Sequence, residues 1–462
     1  MNPIGKVLNK STIREFNFVS NNYFQGQFVQ IPVTDQNVKG LIYVGEIIDK
    51  EALNPYFEDP SVINYVGKRD DNLTSWTLYV NKTKLICIID DDEIKSINFP
   101  PPPGANVYVA DDDIIKRALG IDNSGINIGS LRQSRDIRIC ISENMLCKTH
   151  FTVLGRTGSG KTFFIKHLIK SIQDRIIVIF SPTGEYNDLT SNYNFKIASK
   201  EDLTLPFDDY LIASIFGLTS QERILFNNYF KKLNIKKKFV LSNYDIIDHM
   251  VSFLEIKPTQ KKLLNAESDL FGAADVEINK PLDSIISKMK TKNLFFSNQS
   301  FKIPYSRSTI VDLSDIEQGS QEIIIKDILN NLLNIYRNDY AKKELPKLLI
   351  IFEESHNYAP SIQSTLCKNA IIQIAREGRK LGITLGLISQ RPRHVDQTIL
   401  SQCGSLFLFH IPNPDDIEHV FGISPIYRKD LVDIIRELAI GECLILGDVV
   451  KYPLLCQINF NN

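Results

Sequence analysis

Apolar and polar positions alternate in short runs along the first part of the chain. Segments such as GQFVQIPV, GLIYVGEII and KLICIID are separated by Gly, Asn and Asp, which favour turns. Short alternating runs of this kind predict β-strands, and a small β-barrel is the economical packing for strands of this length and spacing. The proline run Pro100–Pro103 marks a boundary. We therefore predict an N-terminal β-barrel over residues 1–112.

From about Ile126 the pattern changes, and apolar runs alternate with helical stretches. HFTVLG is followed by KTFFIKHLIKSIQ and then by RIIVIFSP. Strands that alternate with helices indicate a parallel sheet, whose strands are buried on both faces and therefore nearly continuous in apolar residues. We predict an α/β domain over residues 126–462, with C-terminal strands at about 441–462. Its later strands are STIVDLS, KLLIIFEE, GITLGLISQ, GSLFLFHI and GECLILGD.

Residues of about 200–300 interrupt this alternation with helix-like, lysine-rich sequence, which we interpret as a helical insertion between strands. The chain has a net charge of −1 and a pI of about 6.7, so any positive charge for binding nucleic acid must be local. Two basic stretches in the insertion, Lys231–Phe239 and Ser287–Asn293, are candidates for phosphate contact. Such basic stretches are more often the solvent-exposed face of a helix.

Composition limits the class of protein. The 462 residues suffice for two or three domains, and 43% hydrophobic with 23% charged residues is ordinary for a globular chain. Seven cysteines without a C-x-x-C pair argue against a disulfide framework or zinc knuckle and for a reducing cytosol. The N-terminus lacks an apolar signal core, and no apolar run approaches the ~20 residues of a membrane span. We expect a cytoplasmic protein without a membrane partner.

The segment GRTGSGKT matches G-x-x-x-x-G-K-[ST] between a predicted strand and a predicted helix, which is the context a P-loop requires. Its glycines permit a tight curve that brings amide N–H groups against phosphate, and the following helix presents its positive end. Lys161 can reach the β- and γ-phosphates, and the Thr162 hydroxyl can ligate Mg²⁺. A glycine-rich turn with a chance lysine is the alternative. The predicted ATP-binding residues are Gly155, Arg156, Thr157, Gly158, Ser159, Gly160, Lys161, Thr162 and Phe163.

Two adjacent carboxylates, Glu353 and Glu354, end the apolar run KLLIIF. We predict that Glu353 holds Mg²⁺ through its water shell, and that Glu354 orients and polarises the water that attacks the γ-phosphorus. An acidic pair interacting with a helix dipole is the alternative. Gln390, in ISQRP, is predicted to sense the γ-phosphate or hold the attacking water. A polar turn residue before Pro392 is the alternative there.

Several motifs occur in order along the second part of the chain: GRTGSGKT, SPTGEY, IVDLS, EESHNYAP, IAREGRKLGI, SQRPRHVDQTILSQCG and GECLILGD. Together they resemble the HerA ATPases, ring-forming DNA translocases of the HerA–FtsK group, and IGKVLNKSTIREFNF resembles the N-terminal barrel of that family. The resemblance covers almost the whole chain. It implies a RecA-like P-loop ATPase domain, a homohexameric ring with ATP bound between subunits, and double-stranded DNA in the centre.

The resemblance also places Arg379 where the family has an arginine that acts on the neighbouring subunit's nucleotide. A fixed guanidinium there would neutralise charge on the γ-phosphoryl oxygens. Arg376 lies three residues earlier, on the same face of a helix, so either arginine fits the role. A salt bridge with Glu377 or a nearby acid is the alternative for both.

Three positions depart from the family pattern. Thr149 stands where the family often has a second intersubunit arginine, and Lys148 precedes it. Ser181 replaces an aspartate, and His410 replaces an arginine; we expect His410 to be packed or hydrogen-bonded. The hydrolysis residues are present, whereas coupling between subunits is expected to differ from that of typical members.

The resemblance implies a motor that hydrolyses ATP to translocate on or unwind double-stranded DNA, working with a NurA-like nuclease. We expect the N-terminal barrel to be the surface that binds the partner protein. An ATPase subunit of an antiphage defence complex, which scaffolds or gates a sirtuin-like NAD hydrolase or a nuclease effector, is the alternative. The lysine-, isoleucine- and asparagine-rich composition suggests a low-GC bacterial source and favours this alternative slightly. A nucleotide-binding scaffold that hydrolyses little ATP is the third hypothesis.

Overall fold

The computed structural model falls into two compact units. One contains Met1–Leu146, Ser405–His410 and Glu437–Asn462, and the other contains Cys147–Gly404 and Ile411–Arg436. The two units are defined by contacts between residues, whereas each domain predicted from the sequence is one continuous segment of the chain. The predicted ranges 1–112 and 126–462 therefore stay a prediction. The structure describes residues 2–9, 11–20, 26–35, 38–53, 78–90, 93–121, 124–206, 215–232, 241–242, 246–247, 279–290, 294–297, 301–339, 345–422 and 429–459.

The first unit begins with a closed barrel. Its strands are β1 (Gly5–Val7), β2 (Glu15–Ser20), β3 (Phe28–Asp35), β4 (Val38–Leu53), β5 (Leu78–Asp90), β6 (Glu93–Lys95) and β7 (Asn106–Val109). Six of them follow the order β2-β1-β7-β3-β4-β5, and β5 returns to pair antiparallel with β2. Alternate residues of β2, including Phe16 and Phe18, are buried inside. The predicted N-terminal barrel is confirmed.

The same unit contains a second, antiparallel group of strands. Helix α1 (Asp112–Leu119) precedes this group in the chain, and α2 (Glu143–Leu146) lies between two of its strands. The strands are β8 (Ile126–Leu131), β9 (Ser134–Ile141), β19 (Cys403–Leu408), β20 (Glu442–Gly447) and β21 (Leu454–Ile458). Their order is β19-β20-β21-β8-β9, and each pairs antiparallel with its neighbour. Strand β20 pairs antiparallel with both β19 and β21, so the expectation that GECLILGD is a parallel strand was wrong. An apolar run reports burial on both faces and carries no information on direction.

The second unit is built on a parallel sheet. Its strands are β10 (His150–Leu154), β11 (Arg175–Ser181), β12 (Phe195–Ala198), β16 (Ser308–Asp312), β17 (Lys347–Phe352) and β18 (Ile383–Ser389). They lie in the order β12-β16-β11-β17-β18-β10. Leu348 to Phe352 of β17 are fully buried, as expected for a central strand covered on both faces. The predicted mostly parallel P-loop fold is confirmed.

Helices cover this sheet and connect its strands. The helices are α3 (Lys161–Ser171), α4 (Leu189–Asn192), α5 (Ser220–Lys232), α6 (Asn279–Met289), α7 (Gln318–Asp339), α8 (Lys368–Glu377), α9 (Gln397–Leu400), α10 (Pro414–Phe421) and α11 (Lys429–Glu437). Three 3₁₀ turns cover Ser355–Asn357, Gly378–Leu381 and Pro392–His394. No helix among the described residues is both long and apolar enough to cross a bilayer.

The described part of the predicted insertion contains α5, α6 and three short strands, β13 (Leu205–Pro206), β14 (Leu241–Ser242) and β15 (Phe295–Ser297). Glu222 of α5 accepts hydrogen bonds from Lys288 Nζ at 2.7 Å and Ser284 Oγ at 2.6 Å, which joins α5 to α6. Burial opposes ionisation of Glu222, but these bonds prevail and hold its pKa at about 2. Most of Lys231–Phe239 and the end of Ser287–Asn293 lie outside the described residues.

Candidate active site

The loop between β10 and α3 carries the predicted phosphate site. Gly158 and Gly160 have φ angles of 76° and 109°, in the left-handed region that favours glycine. The first turn of α3 contains no acidic residue, so its N–H groups face the loop without a competing anion. Lys161 Nζ donates to the carbonyl of Arg156 at 2.9 Å, which curls the lysine over the loop. Local geometry thus has the form of an anion cradle.

Lys161 lies in the field of three carboxylates. Its side chain is buried, and burial lowers the pKa of the ammonium group. Glu354, Glu185 and Glu353 act in the opposite direction and favour the charged form. Two of these glutamates come from the predicted acidic pair, and the third comes from SPTGEY.

Glu354 follows β17 in a strained conformation. Its φ of 46° and ψ of 48° make it the one non-glycine residue with positive φ among those described, at a cost of order 1–3 kcal/mol. Its carboxylate accepts the backbone N–H of Gln390. The Oε2 atom is buried and lacks a hydrogen-bond partner within the described chain. Burial raises the pKa of Glu354, against the influence of Lys161, so the group is a stronger base than a solvated carboxylate.

His356 lies beside Glu354. Its Nδ1 is 3.2 Å from Glu354 Oε2 and 3.0 Å from Ser389 Oγ. Burial, reinforced by Arg391, lowers the pKa of His356 to about 4. The imidazole is therefore neutral near pH 7, and its proximity to Glu354 is not an ion pair. Since Glu354 Oε2 has no well-aligned donor, that oxygen keeps an unused acceptor position.

Glu353 is held on the other side of the strand tip. Ser181 Oγ donates to Glu353 Oε2 at 2.7 Å, and Thr183 Oγ1 donates to the same oxygen at 2.9 Å. Burial nevertheless raises the pKa of Glu353 to about 7. The family's aspartate at position 181 would place a second carboxylate here and raise that pKa further. Serine instead supplies a donor.

Glu185 is a member of this cluster that the sequence reasoning missed. Thr162 Oγ1, the predicted Mg²⁺ ligand, donates to Glu185 Oε2 at 2.9 Å. Glu185 lies just beyond β11, which pairs directly with β17. Because the carboxyl ends of adjacent parallel strands meet at one edge of a sheet, an acid following β11 was a detectable signal.

Gln390 lies between the loop and the acidic pair. Leu154 of β10 pairs with Ser389 of β18, so Gly155 and Gln390 follow the two strands side by side. The Thr157 hydroxyl donates to the side-chain carbonyl of Gln390. The structure therefore brings the amide of Gln390 to the P-loop and its backbone N–H to Glu354.

Arg376 and Arg379 lie at the opposite edge of the sheet. Arg379 precedes the first residue of β18, whereas Gln390 follows its last residue. Five residues of β10 separate the two edges by about 13 Å. Both arginines are exposed, and within the described chain neither forms an ion pair. Glu377, the predicted alternative partner, binds Arg337 at 2.7 Å instead.

His150 forms hydrogen bonds to a neighbouring strand and to a helix at this edge of the sheet. Its Nδ1 accepts the Leu385 N–H at 2.9 Å, so the proton lies on Nε2, which donates to the Ala375 carbonyl at 2.9 Å. Burial lowers the pKa of His150 and keeps it neutral. The imidazole thereby connects the P-loop strand to α8, the helix whose last turn contains Arg376. Lys148 and Thr149 immediately precede it at the same edge.

The oxygen donors near Lys161 suit magnesium. The Thr162 hydroxyl and the carboxylates of Glu185 and Glu353 are ligand types that Mg²⁺ prefers. Across the described chain, no group of three or more His, Cys, Asp or Glu side chains is arranged to hold a metal by itself. Mg²⁺ in nucleotide sites takes most of its ligands from phosphate and water, so the donor set fits this ion.

Comparison with known proteins gives consistent matches. Residues 126–332 match the model of the family described as Helicase HerA, central domain. A probable helicase of Methanocaldococcus jannaschii is 26% identical over 99% of this chain and 90% of that protein. The DNA double-strand break repair helicase HerA of Sulfurisphaera tokodaii is 25% identical over 99% and 92%, respectively. Among solved structures, VirB4 of Thermoanaerobacter pseudethanolicus aligns with a TM-score of 0.45 and 15% identity, covering 74% of this chain and 98% of that chain.

Proposed function

The chain belongs to the HerA family of ATPases and is an ATP-hydrolysing enzyme, and on this premise we propose that it is a motor that translocates on or unwinds double-stranded DNA. Relatives named as DNA repair helicases match nearly its whole length. The proposed role in ATP hydrolysis rests on Glu354, which has a strained backbone conformation. Its buried Oε2 lacks a hydrogen-bond donor, and its carboxylate lies close enough to Lys161 to influence the pKa of that lysine.

The hydrolytic step follows from the positions of these groups. The P-loop amides and Lys161 hold the phosphates, and the lysine neutralises charge that develops on the γ-phosphoryl group. Glu354 accepts a hydrogen bond from the attacking water and takes its proton as the new bond from the water oxygen to the γ-phosphorus forms. The bond from the γ-phosphorus to the bridging oxygen breaks, and ADP leaves with that oxygen. Gln390 fixes that water or senses the γ-phosphate. Thr162 and Glu353 would hold Mg²⁺, which when bound neutralises phosphate charge.

Glu185 is proposed as an additional acid at the metal position. It accepts a hydrogen bond from the Thr162 hydroxyl, which orients that oxygen. A carboxylate next to a metal-ligating hydroxyl adds negative potential where a divalent cation would bind. We therefore expect Glu185 to strengthen the binding of Mg²⁺ together with the nucleotide.

The arginines at the far edge of the sheet are proposed to act on a neighbouring subunit. Side-chain motion cannot bring Arg379 or Arg376 around to the P-loop of the same chain, because the sheet separates the two edges. A neighbour in a head-to-tail ring would present this edge to the next nucleotide. This supports a homohexameric ring with ATP between subunits.

The barrel is proposed as the surface that binds a nuclease partner. Ile13, Ile94 and Phe99 of this region are large apolar side chains that are 42–51% exposed. Exposed apolar side chains of this size can supply the apolar part of a protein-contact site where they form one patch. A barrel-bound effector of a defence complex would use the same surface, and co-purification of the full chain with its native partners distinguishes a nuclease from an NAD hydrolase.

The decisive experiment measures ATP hydrolysis by the full chain with and without linear duplex DNA, together with displacement of a third strand from a triplex. A motor is stimulated several-fold by duplex DNA and removes the third strand only when ATP is hydrolysed. Unchanged hydrolysis with no displacement would overturn the proposal and favour the nucleotide-binding scaffold.

A further inference from the structure

A polar cavity lies on the hairpin formed by β8 and β9. It has a volume of about 480 Å³ and is lined by Ser130, Arg135, Arg138, Gln457 and Asn459. All of these residues belong to the unit that contains the barrel, and none takes part in the ATP site. The cavity is also separate in sequence from the basic stretches of the insertion.

Backbone pairing fixes the position of the cavity walls. Ser130 pairs with Arg138 on β9 and with Gln457 on β21, so three side chains form a row across three antiparallel strands. Ile137 and Ile139, on either side of Arg138, are buried, which turns the arginine outward because side chains alternate along a strand. The row therefore depends on strand register as well as on side-chain conformation.

The charge of the hairpin is only partly neutralised. Arg132, in its turn, forms an ion pair with Glu442 in which Nε and Oε1 are 3.0 Å apart. Within the described residues, Arg135 and Arg138 have neither an ion pair nor a side-chain hydrogen bond, and no carboxylate lines the cavity. Two guanidinium groups that share one concave surface attract anions.

We propose that this cavity binds phosphate groups of a nucleic-acid backbone. A planar guanidinium matches phosphate with two parallel hydrogen bonds, and the Ser130 hydroxyl and Asn459 amide are neutral donors of the kind that also contact phosphates. No aromatic side chain is among the lining residues, so the surface offers no stacking platform for a base. Binding of phosphates in this cavity is therefore expected to be independent of base sequence. The inference rests on the proposed function, in which duplex DNA is the substrate.

The test compares duplex binding by the full chain and its variants, by fluorescence anisotropy from 50 to 200 mM KCl. If Arg135 and Arg138 each neutralise one phosphate, R135A/R138A lowers the slope of log K against log[salt] by about 1.8. Raising the salt from 50 to 200 mM then weakens wild-type binding about tenfold more than it weakens binding by this variant. R135K/R138K keeps most of the slope, and hydrolysis without DNA stays unchanged in both variants.

R132A is the matched control, because this arginine lies on the same hairpin but is neutralised by Glu442. The proposal is overturned if R135A/R138A binds with the wild-type slope, or if R132A loses as much slope as the double variant. It is also overturned if the double variant instead reduces the number of ATP molecules bound per chain, since a free nucleotide would then be the ligand. Failure of the wild-type chain itself to bind duplex DNA at any salt would instead refute the proposed function.

Discussion

The hydroxyl of Thr162 donates a hydrogen bond to Glu185 across 2.9 Å, so the predicted metal ligand directly contacts a carboxylate. Glu185→Gln removes this charge and keeps the size of the side chain. We expect the gain in ADP affinity on adding Mg²⁺ to fall about tenfold, because an acid beside the ligand no longer favours the cation. Titration calorimetry with Mg²⁺ and with EDTA measures that gain.

Glu201→Gln serves as the control for this comparison, because Glu201 is exposed and its carboxylate binds Ser199. It should leave the magnesium-dependent gain unchanged. An equal gain in wild type and Glu185→Gln would show that Glu185 only orients the threonine.

Glu354→Gln should abolish ATP hydrolysis and leave ATP binding intact. The amide keeps the shape of the carboxylate but cannot take the proton of the attacking water, so turnover falls by roughly 10²–10⁴. Steady-state hydrolysis and equilibrium binding of a fluorescent ATP analogue separate the two effects. Turnover near the wild-type rate would mean that another group activates the water.

The backbone of Glu354 makes a separate prediction about stability. Glu354→Gly and Glu354→Ala both remove the carboxylate, but only glycine adopts a positive φ without steric cost. Glu354→Gly should therefore be more stable than Glu354→Ala by about 1–2 kcal/mol, measured by urea denaturation of the full chain. Equal stabilities would indicate that the left-handed conformation relaxes when the carboxylate is lost.

Mixing two inactive variants tests whether an arginine acts between subunits. Arg379→Ala retains Glu354, and Glu354→Gln retains Arg379, so some interfaces of a mixed ring contain both intact residues. Random mixing should restore about a quarter of wild-type hydrolysis. Repeating the mixture with Arg376→Ala identifies which arginine is required.

Arg337→Ala is the matched control, because Arg337 is bound to Glu377 on the neighbouring helix and should remain active alone. Mixed rings that stay inactive with both arginine variants would place the function of these arginines within one subunit.

His150 predicts a pH dependence of stability. Its folded-state pKa is lowered by burial from 6.5, so below pH 6.5 the unfolded chain takes up a proton that the folded chain does not. The free energy of unfolding should fall by up to about 1.4 kcal/mol per pH unit from this group as pH drops from 6.5 towards the folded pKa. His150→Gln should flatten the slope. A slope unaltered by His150→Gln would assign it to other groups.

The sequence predicted the parts of the site whose chemistry is encoded in short motifs. The P-loop was predictable because glycine spacing, Lys161 and the strand–helix context all point to phosphate, and the barrel was predictable from alternation and turn residues. Neither the direction of β20 nor the conformation of Glu354 was visible, because apolar runs and residue types do not specify strand direction or φ. The roles of Glu185 and His150 depend on contacts across the sheet, between residues such as Thr162 and Glu185 or His150 and Leu385, that sequence separation conceals.

The placement of Arg379 and Gly155 at opposite edges of one sheet has a kinetic consequence. If a complete active site needs one sheet edge from each of two chains, a single isolated chain contains no complete active site. Hydrolysis per chain would then decline with dilution, with an order in protein concentration above one, until subunits no longer meet. Cells could regulate such a protein through its abundance alone, with no inhibitor required.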